Sequence, residues 1–355
     1  MLAFALFWRF IGLPTDIIAA LGWLWLATIC WRIGRPFRDH LAFLRDWLPV
    51  AAVLSIYDVS RGFADNGAQP HLHEMIRFDR WLIGGNDLPT HWMQRAFYDP
   101  DVVHWWDLVV SAIYFSHFIA TPVAAVVLWL RSRQRWVRFT RRWIALSIAG
   151  LSTYFLFPAA PPWWADERAQ VIDPVARIST RGWDLIGMRT AGHLLNVAQQ
   201  NLSNEVAAMP SLHSAFALFV VAFFLPTVRR RWWPLLLSYP AAMAVVLVYS
   251  GEHWVIDALV GFVYVGLVFI GVAALEAAWA RWRTSPLVGP VVDSARQAWA
   301  RWRTVVLLFL VTAGHRARQA LARRRTERTD RAATEPDCDT EAEADECEPV
   351  GPPAR

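Results

Sequence analysis

"WVIDALVGFVYVGLVFIGVAALEAAW", residues 254–279, is an apolar run holding two carboxylates, Asp257 and Glu276. A helix crosses the hydrocarbon of a bilayer with about 20 largely apolar residues, each rising 1.5 Å. This run is long enough. Glu276 stands near its far end and can snorkel to the membrane surface. Asp257 stands at its beginning, where a charge is costly to carry and marks a functional position.

Outward from this run the pattern repeats. Apolar stretches occupy 17–31, 47–60 (starting as early as 41), 105–130, 143–158, 211–228 and 233–249. Residues 2–12 are apolar but too short to span alone. The chain is 55% hydrophobic with mean hydropathy +0.27 and 22 Trp. The expected fold is all-α, a polytopic transmembrane helix bundle. The first run lacks a small-residue cleavage site and further spans follow it, so no cleavable signal peptide is expected.

The net charge is +5, and every basic side chain is Arg, with no Lys. This usage reflects a GC-rich coding bias, not nucleic-acid binding, and nucleic acid is not an expected partner. The arginines gather in short loops: "RIGRPFRDHLAFLR" (32–45), "RSRQRWVRFTRR" (131–142) and "RRRW" (229–232). These alternate with loops 61–104 and 158–210, which mix Arg with Asp and Glu. The positive-inside rule puts the Arg-dense loops in the cytoplasm. The expectation is an integral protein of a bacterial plasma membrane, its site on the external face and its C-terminal tail cytoplasmic. Cys30, Cys338 and Cys347 form no disulfide or metal pattern.

Two motifs open on that external face. In "MPSLHS" (209–214), Pro210 suits the first turn of a helix. The N–H groups of Ser211, Leu212 and His213 would then lack helical partners and face an anion at the positive end of the helix dipole. Ser211 adds a hydroxyl donor, and His213 can protonate a leaving oxygen. In "EHWVID" (252–257), His253 and Asp257 would lie one helical turn apart. The carboxylate can accept the imidazole Nδ1–H and leave Nε2 free to attack. Together they describe phosphoryl transfer: His253 as nucleophile, His213 as acid and then base, Asp257 steadying the imidazolium. The scheme requires no metal or cofactor.

"PSLHS", followed by "YSG" and "HWVID", resembles the type-2 phosphatidic acid phosphatase superfamily. The likeness is greater to its inositolphosphotransferase-like branch, which includes fungal inositol phosphorylceramide synthase. "YFSHF" (114–118) and "YFLFPAAPPWW" (154–164) add to the likeness, which covers roughly residues 50–275. The resemblance implies a six-helix membrane core, here with an extra N-terminal helix, and assigns catalysis to His213, His253 and Asp257. It also implies a lipid phosphate substrate entering from the bilayer. This chain departs from the phosphatase pattern: it has no Lys, and position 247 is Leu where that pattern has Arg. Arg177 and Arg61 are the candidates for holding phosphate. The departure favours the transferase branch. Phosphatase action on a lipid phosphate or isoprenyl pyrophosphate, or non-catalytic binding or transport of a lipid phosphate, are the alternatives.

Several features stand outside this scheme. His117 either orients Asp257, touches the headgroup, or makes a helix–helix hydrogen bond. "HLHE" (71–74) has too few ligands for a metal and reads as a solvated loop. "PAAPPWW" reads as a lid edge or headgroup-level anchor. "AWARWRT" occurs at 278–284 and again at 298–304. The expected organisation is a hydrophobic N-terminal segment with the first span (1–40) and a catalytic membrane domain (41–280). An Arg/Trp-rich amphipathic segment on the inner surface (281–322) and a disordered acidic tail (323–355) follow.

Overall fold

A computed structural model describes residues 17–63, 68–85, 87–187 and 204–286, then 288, 290–291, 293–306, 308–309, 311–313 and 319. The apolar stretch 2–12 and the acidic tail lie outside the described residues. In chain order the helices are α1 (Ile17–Trp31), α2 (Phe37–Arg61), α3 (His73–Leu82), α4 (Pro89–Phe97) and α5 (Trp105–Arg131). They continue with α6 (Arg133–Leu156), α7 (Pro162–Glu167), α8 (Leu212–Phe224), α9 (Trp233–Tyr249) and α10 (Val255–Arg283). Among the described residues there is no strand; isolated parallel bridges join His71 to Ala159 and Ala159 to Ala207.

The protein is an all-α integral membrane bundle. Helices α2, α5, α6, α8, α9 and α10 form its six-helix core, and α1 packs on α2 as the additional N-terminal helix. Among the described residues, 105–131, 230–249 and 255–283 are long and apolar enough to cross a membrane. Along α10, Val263, Leu267 and Ile270 are exposed, as a lipid-facing stripe requires.

Helices α2 and α6 begin earlier than their apolar runs. The Arg-dense stretch 131–142, expected as a loop, is largely the first half of α6. Arg is a good helix former, and the Ser132 hydroxyl caps the helix by accepting from Arg135 N–H at 3.4 Å. Trp136, Phe139 and Trp143 recur at helical spacing and are buried. In α2 the same spacing buries Phe43, Trp47 and Val50. Phe43 meets Trp129 of α5 edge-on, and Trp47 meets Trp136 of α6.

Charged clamps tie these helices. The buried Asp46 of α2 accepts from Arg133 at 2.7 and 2.8 Å, from Trp129 Nε1 at 3.1 Å and from Arg45 at 3.0 Å. Glu276 does not simply reach for the surface. It pairs α10 to α6 through Arg141 and Arg142 at 3.1 and 3.2 Å.

Helix α8 packs against α5, α6 and α9. It meets α10 at Gly261, where an added Cβ would lie 2.5 Å from the Ser211 carbonyl oxygen. A side chain there would push apart the two helices whose beginnings carry the histidine motifs.

Packing divides the chain into two units, residues 1–276 and 277–355. In the second, residues 293–306 are helical. Each copy of "AWARWRT" stacks its two exposed tryptophans: Trp279 on Trp282 at 4.8 Å and Trp299 on Trp302 at 5.1 Å.

Gly261→Ala should therefore lower stability by about 1–3 kcal/mol, the usual cost of overpacking. Gly271→Ala on the same helix, with nothing within 4 Å of the new methyl, should leave it unchanged. Thermal unfolding in detergent compares the two.

Candidate active site

Helix α8 starts at Leu212, two residues after Pro210. Ser211 is the N-cap, fully buried, and its hydroxyl accepts from Ser214 N–H at 3.3 Å. Its own N–H does not face open space. It donates to the carbonyl of Asp257 at 3.0 Å and so joins the start of α8 to the first turn of α10. His213 is the second residue of α8.

His253 is not on a helix. It lies in the turn before α10, which begins at Val255. Gly251 makes that turn with φ +72°, and a Cβ on it would strike Val175 Cγ1 at 2.6 Å. The His253 and Glu252 N–H groups both donate to the Leu247 carbonyl, at 3.2 and 3.0 Å. The fully buried Leu247 side chain packs with Met243 and Val246, at the position where the phosphatase pattern has Arg.

Asp257, fully buried, reaches back out of its helix. Its Oδ2 accepts from Trp254 N–H at 2.9 Å and faces His253 Nδ1 at 3.4 Å. His253 Nε2 lies 3.2 Å from His213 Nδ1. The proton positions follow from this chain of contacts. With Nδ1–H on Asp257, the Nε2 of His253 carries the lone pair, and His213 Nδ1 donates to it. At 3.2 Å the two ring nitrogens leave no room for an atom between them.

His117 sets its ring 4.1 Å from that of His213, and Tyr114 stacks on His213 at 5.3 Å. His117 Nδ1 lies 3.1 Å from the Tyr114 carbonyl oxygen. Its packing thus places it against His213. Arg177 is held next to the His253 turn. Its guanidinium donates to Glu252 at 2.9 and 3.1 Å and lies 4.5 Å over the Trp163 ring. Ser179 Oγ donates to the same carboxylate at 2.6 Å. Burial alone would ease the Arg177 proton off, but the Glu252 charge and hydrogen bonds outweigh this and hold it more tightly than usual. Arg61 closes α2, and its side chain lies outside the described residues.

Four supporting residues have roles that no motif spacing assigns. Glu252 opens "EHWVID", but nothing along the chain ties it to Arg177, 75 residues earlier. Gln94 of α4 donates to the Ala176 and Tyr249 carbonyls, both at 2.8 Å, and accepts from Ala176 N–H, so it stitches the Arg177 segment to the end of α9. Trp163 belongs to "PAAPPWW", which is not a surface anchor. Ala159, Ala160 and Trp163 are buried, and Trp254 Nε1 donates to Ala160 O at 2.8 Å. Trp163 N–H donates to Gly251 O at 3.1 Å, so this stretch is a shelf beneath the His253 turn. Small alanines allow it to lie between residues 71 and 207. "HLHE" likewise is no solvated loop: His71 bridges to that shelf and stacks on Phe157 at 3.7 Å, and His73 opens α3. Asp79 of α3 is the fourth. Fully buried, it accepts from Val255 N–H at 3.0 Å and Ile256 N–H at 3.4 Å.

The sequence has counterparts among known proteins. The chain belongs to the PAP2 superfamily, whose pattern matches residues 73–271. A curated relative is the phosphoinositol dihydroceramide synthase of Bacteroides thetaiotaomicron, 26% identical over 171 residues that cover 45% of this chain and 54% of the relative. The chain thus spans about half the length of that relative. The match supports the inositolphosphotransferase-like branch. No solved structure matches the chain.

Burial, with the nearby Asp257 carboxylate adding to it, pushes the Asp79 pKa up to about 7 against the pull of the Val255 and Ile256 amides. A group that binds its proton more readily folded than unfolded makes stability fall as pH rises between its two pKa values. The Asp79 contribution to stability should therefore decline from about pH 4 to about pH 7 and level off above. Asp79→Asn should flatten that slope in thermal unfolding measured at pH 5 and pH 8.

Proposed function

We propose that the protein transfers the phosphorylated headgroup of a phospholipid to an alcohol acceptor through a phosphohistidine on His253. The observation that carries this reading is the approach of His253 Nε2 to His213 Nδ1, with the opposite nitrogen of His253 backed by a buried carboxylate. In the first step the Nε2 lone pair forms an N–P bond and the P–O bond to the lipid breaks. The His213 Nδ1 proton goes to the departing oxygen. In the second step the acceptor oxygen attacks phosphorus, its proton passes to His213, and the N–P bond breaks. Asp257 stabilises the imidazolium in both steps. The scheme calls on no metal.

Two observations favour a diester headgroup over a simple phosphate. The relative's name describes a phosphoinositol-transferring synthase. Arg177 is already matched by Glu252, so the pair adds no net charge beside His253. That suits a phosphodiester with one negative charge better than a monoester carrying nearly two. The site opens on the non-cytoplasmic face in this reading. Tyr154, near the end of α6 opposite its arginines, donates to Pro210 O at 3.0 Å beside His213. A helix of 24 residues separates that end from the Arg-dense one, about the thickness of a bilayer. The catalytic domain is taken as 41–280, with 281–322 on the inner membrane surface.

Purified protein given radiolabelled phosphatidylinositol, phosphatidate or isoprenyl pyrophosphate, with and without a lipid alcohol, tests the reading. Label passing to the alcohol supports it; release of free phosphate alone replaces it with the phosphatase, and no turnover leaves only lipid-phosphate binding. His253→Ala should abolish turnover. His213→Ala should slow it by about 10²–10⁴. With a nitrophenyl phosphodiester, whose leaving group needs no proton, that variant should accumulate label on His253. Wild-type turnover in His253→Ala would sink the assignment.

A further inference from the structure

Asp79 is a buried carboxylate that the chemistry above does not use. It belongs to α3, and its partners lie 176 and 177 residues further on. Both of its oxygens are engaged by the first two backbone N–H groups of α10, which have no partner inside the helix. Helices usually meet this need with the side chain just before the first turn. Here that residue is Trp254, whose indole offers only a donor N–H, given to Ala160 O, and no oxygen to accept from the amides. Asp257 is the carboxylate of the helix's own first turn. Short acidic side chains in a first turn compete for unpaired amides, and Asp257 already accepts from Trp254 N–H. If it had to serve Val255 and Ile256 as well, its carboxylate would turn from His253.

We infer that Asp79 is a positioning residue for the nucleophile: by holding the Val255 and Ile256 amides it leaves the Asp257 carboxylate to His253 and fixes the turn in which His253 sits. The α3 helix is built for this. Met75 and Ile76 bury themselves beside Leu72, Leu88 and Trp254, so the helix is pinned against the same turn it serves. Asp79 acts through Asp257, never on the substrate. Its loss should weaken the step that needs a correctly aimed Nε2 and leave lipid binding alone. The proposal rests on His253 as the nucleophile.

The test compares full-length Asp79→Asn and Asp79→Ala with wild type and His253→Ala in detergent, using the headgroup-transfer assay and thermal unfolding. Asp79→Ala should lower kcat by about tenfold to a hundredfold, as small misplacements of reacting groups do, with KM within about twofold. Asp79→Asn keeps one acceptor oxygen and should recover part of that loss. A cap with a purely structural role would lower the unfolding temperature and leave kcat per folded molecule at the wild-type value. That result overturns the proposal. If Asp79→Ala does not fold, Asp79→Asn decides: a fall in kcat at constant KM supports the inference, and wild-type kcat ends it. A dead His253→Ala beside fully active Asp79 variants would sink the Asp79 role alone. An active His253→Ala would sink the nucleophile and this proposal together.

Discussion

A backbone hydrogen bond from Ser211 N–H to the Asp257 carbonyl, 3.0 Å long, joins the two helix beginnings on which this molecule's polar centre is built. It forms because Gly261 lets α10 approach Ser211 more closely than any side chain would allow. With α8 and α10 held together at that point, His213 and His253 have little choice but to meet. Apolar packing then completes what this bond starts: Leu212, Ala215 and Phe219 of α8 and Val265 and Val268 of α10 share one buried cluster with α2, α5 and α6.

The charged and polar groups of the site are supported by layers that grow less familiar with distance. Asp257 holds His253; Asp79 holds the amides in front of Asp257; Glu252 holds Arg177 over Trp163. Short helices and extended segments between the long ones supply most of these supports. Gln94 and the "PAAPPWW" shelf fasten the turn at Gly251 from two sides. A polar site at the rim of an apolar bundle needs such fastening, because its backbone groups must find partners where water is scarce.

Much of this was legible in the chain. Apolar run lengths predicted an all-α bundle, and each long helix overlaps its run, although α2 and α6 begin ahead of theirs. The pairing of His213 with His253 followed from both motifs opening on one face. Other readings went astray for identifiable reasons. Arg density suggests loops, yet Arg favours helix, and Trp136, Phe139 and Trp143 share a buried face. Helices α3 and α4 were read as loop because their apolar faces are short and charges flank them. His253 was placed on a helix by its spacing to Asp257, yet the turn around Gly251 achieves the same pairing from outside it.

What the amino-acid sequence determined by itself are properties of neighbours along the chain: which runs can live in lipid and which histidine has a carboxylate four residues on. These depend on residues a few positions apart and on the dipole and periodicity of a helix. Only the tertiary structure decided that Glu252 takes up Arg177, that His117 lies against His213, and that Asp79 caps a helix far along the chain. Those partnerships are set by how the intervening chain folds back, and no local pattern encodes that path.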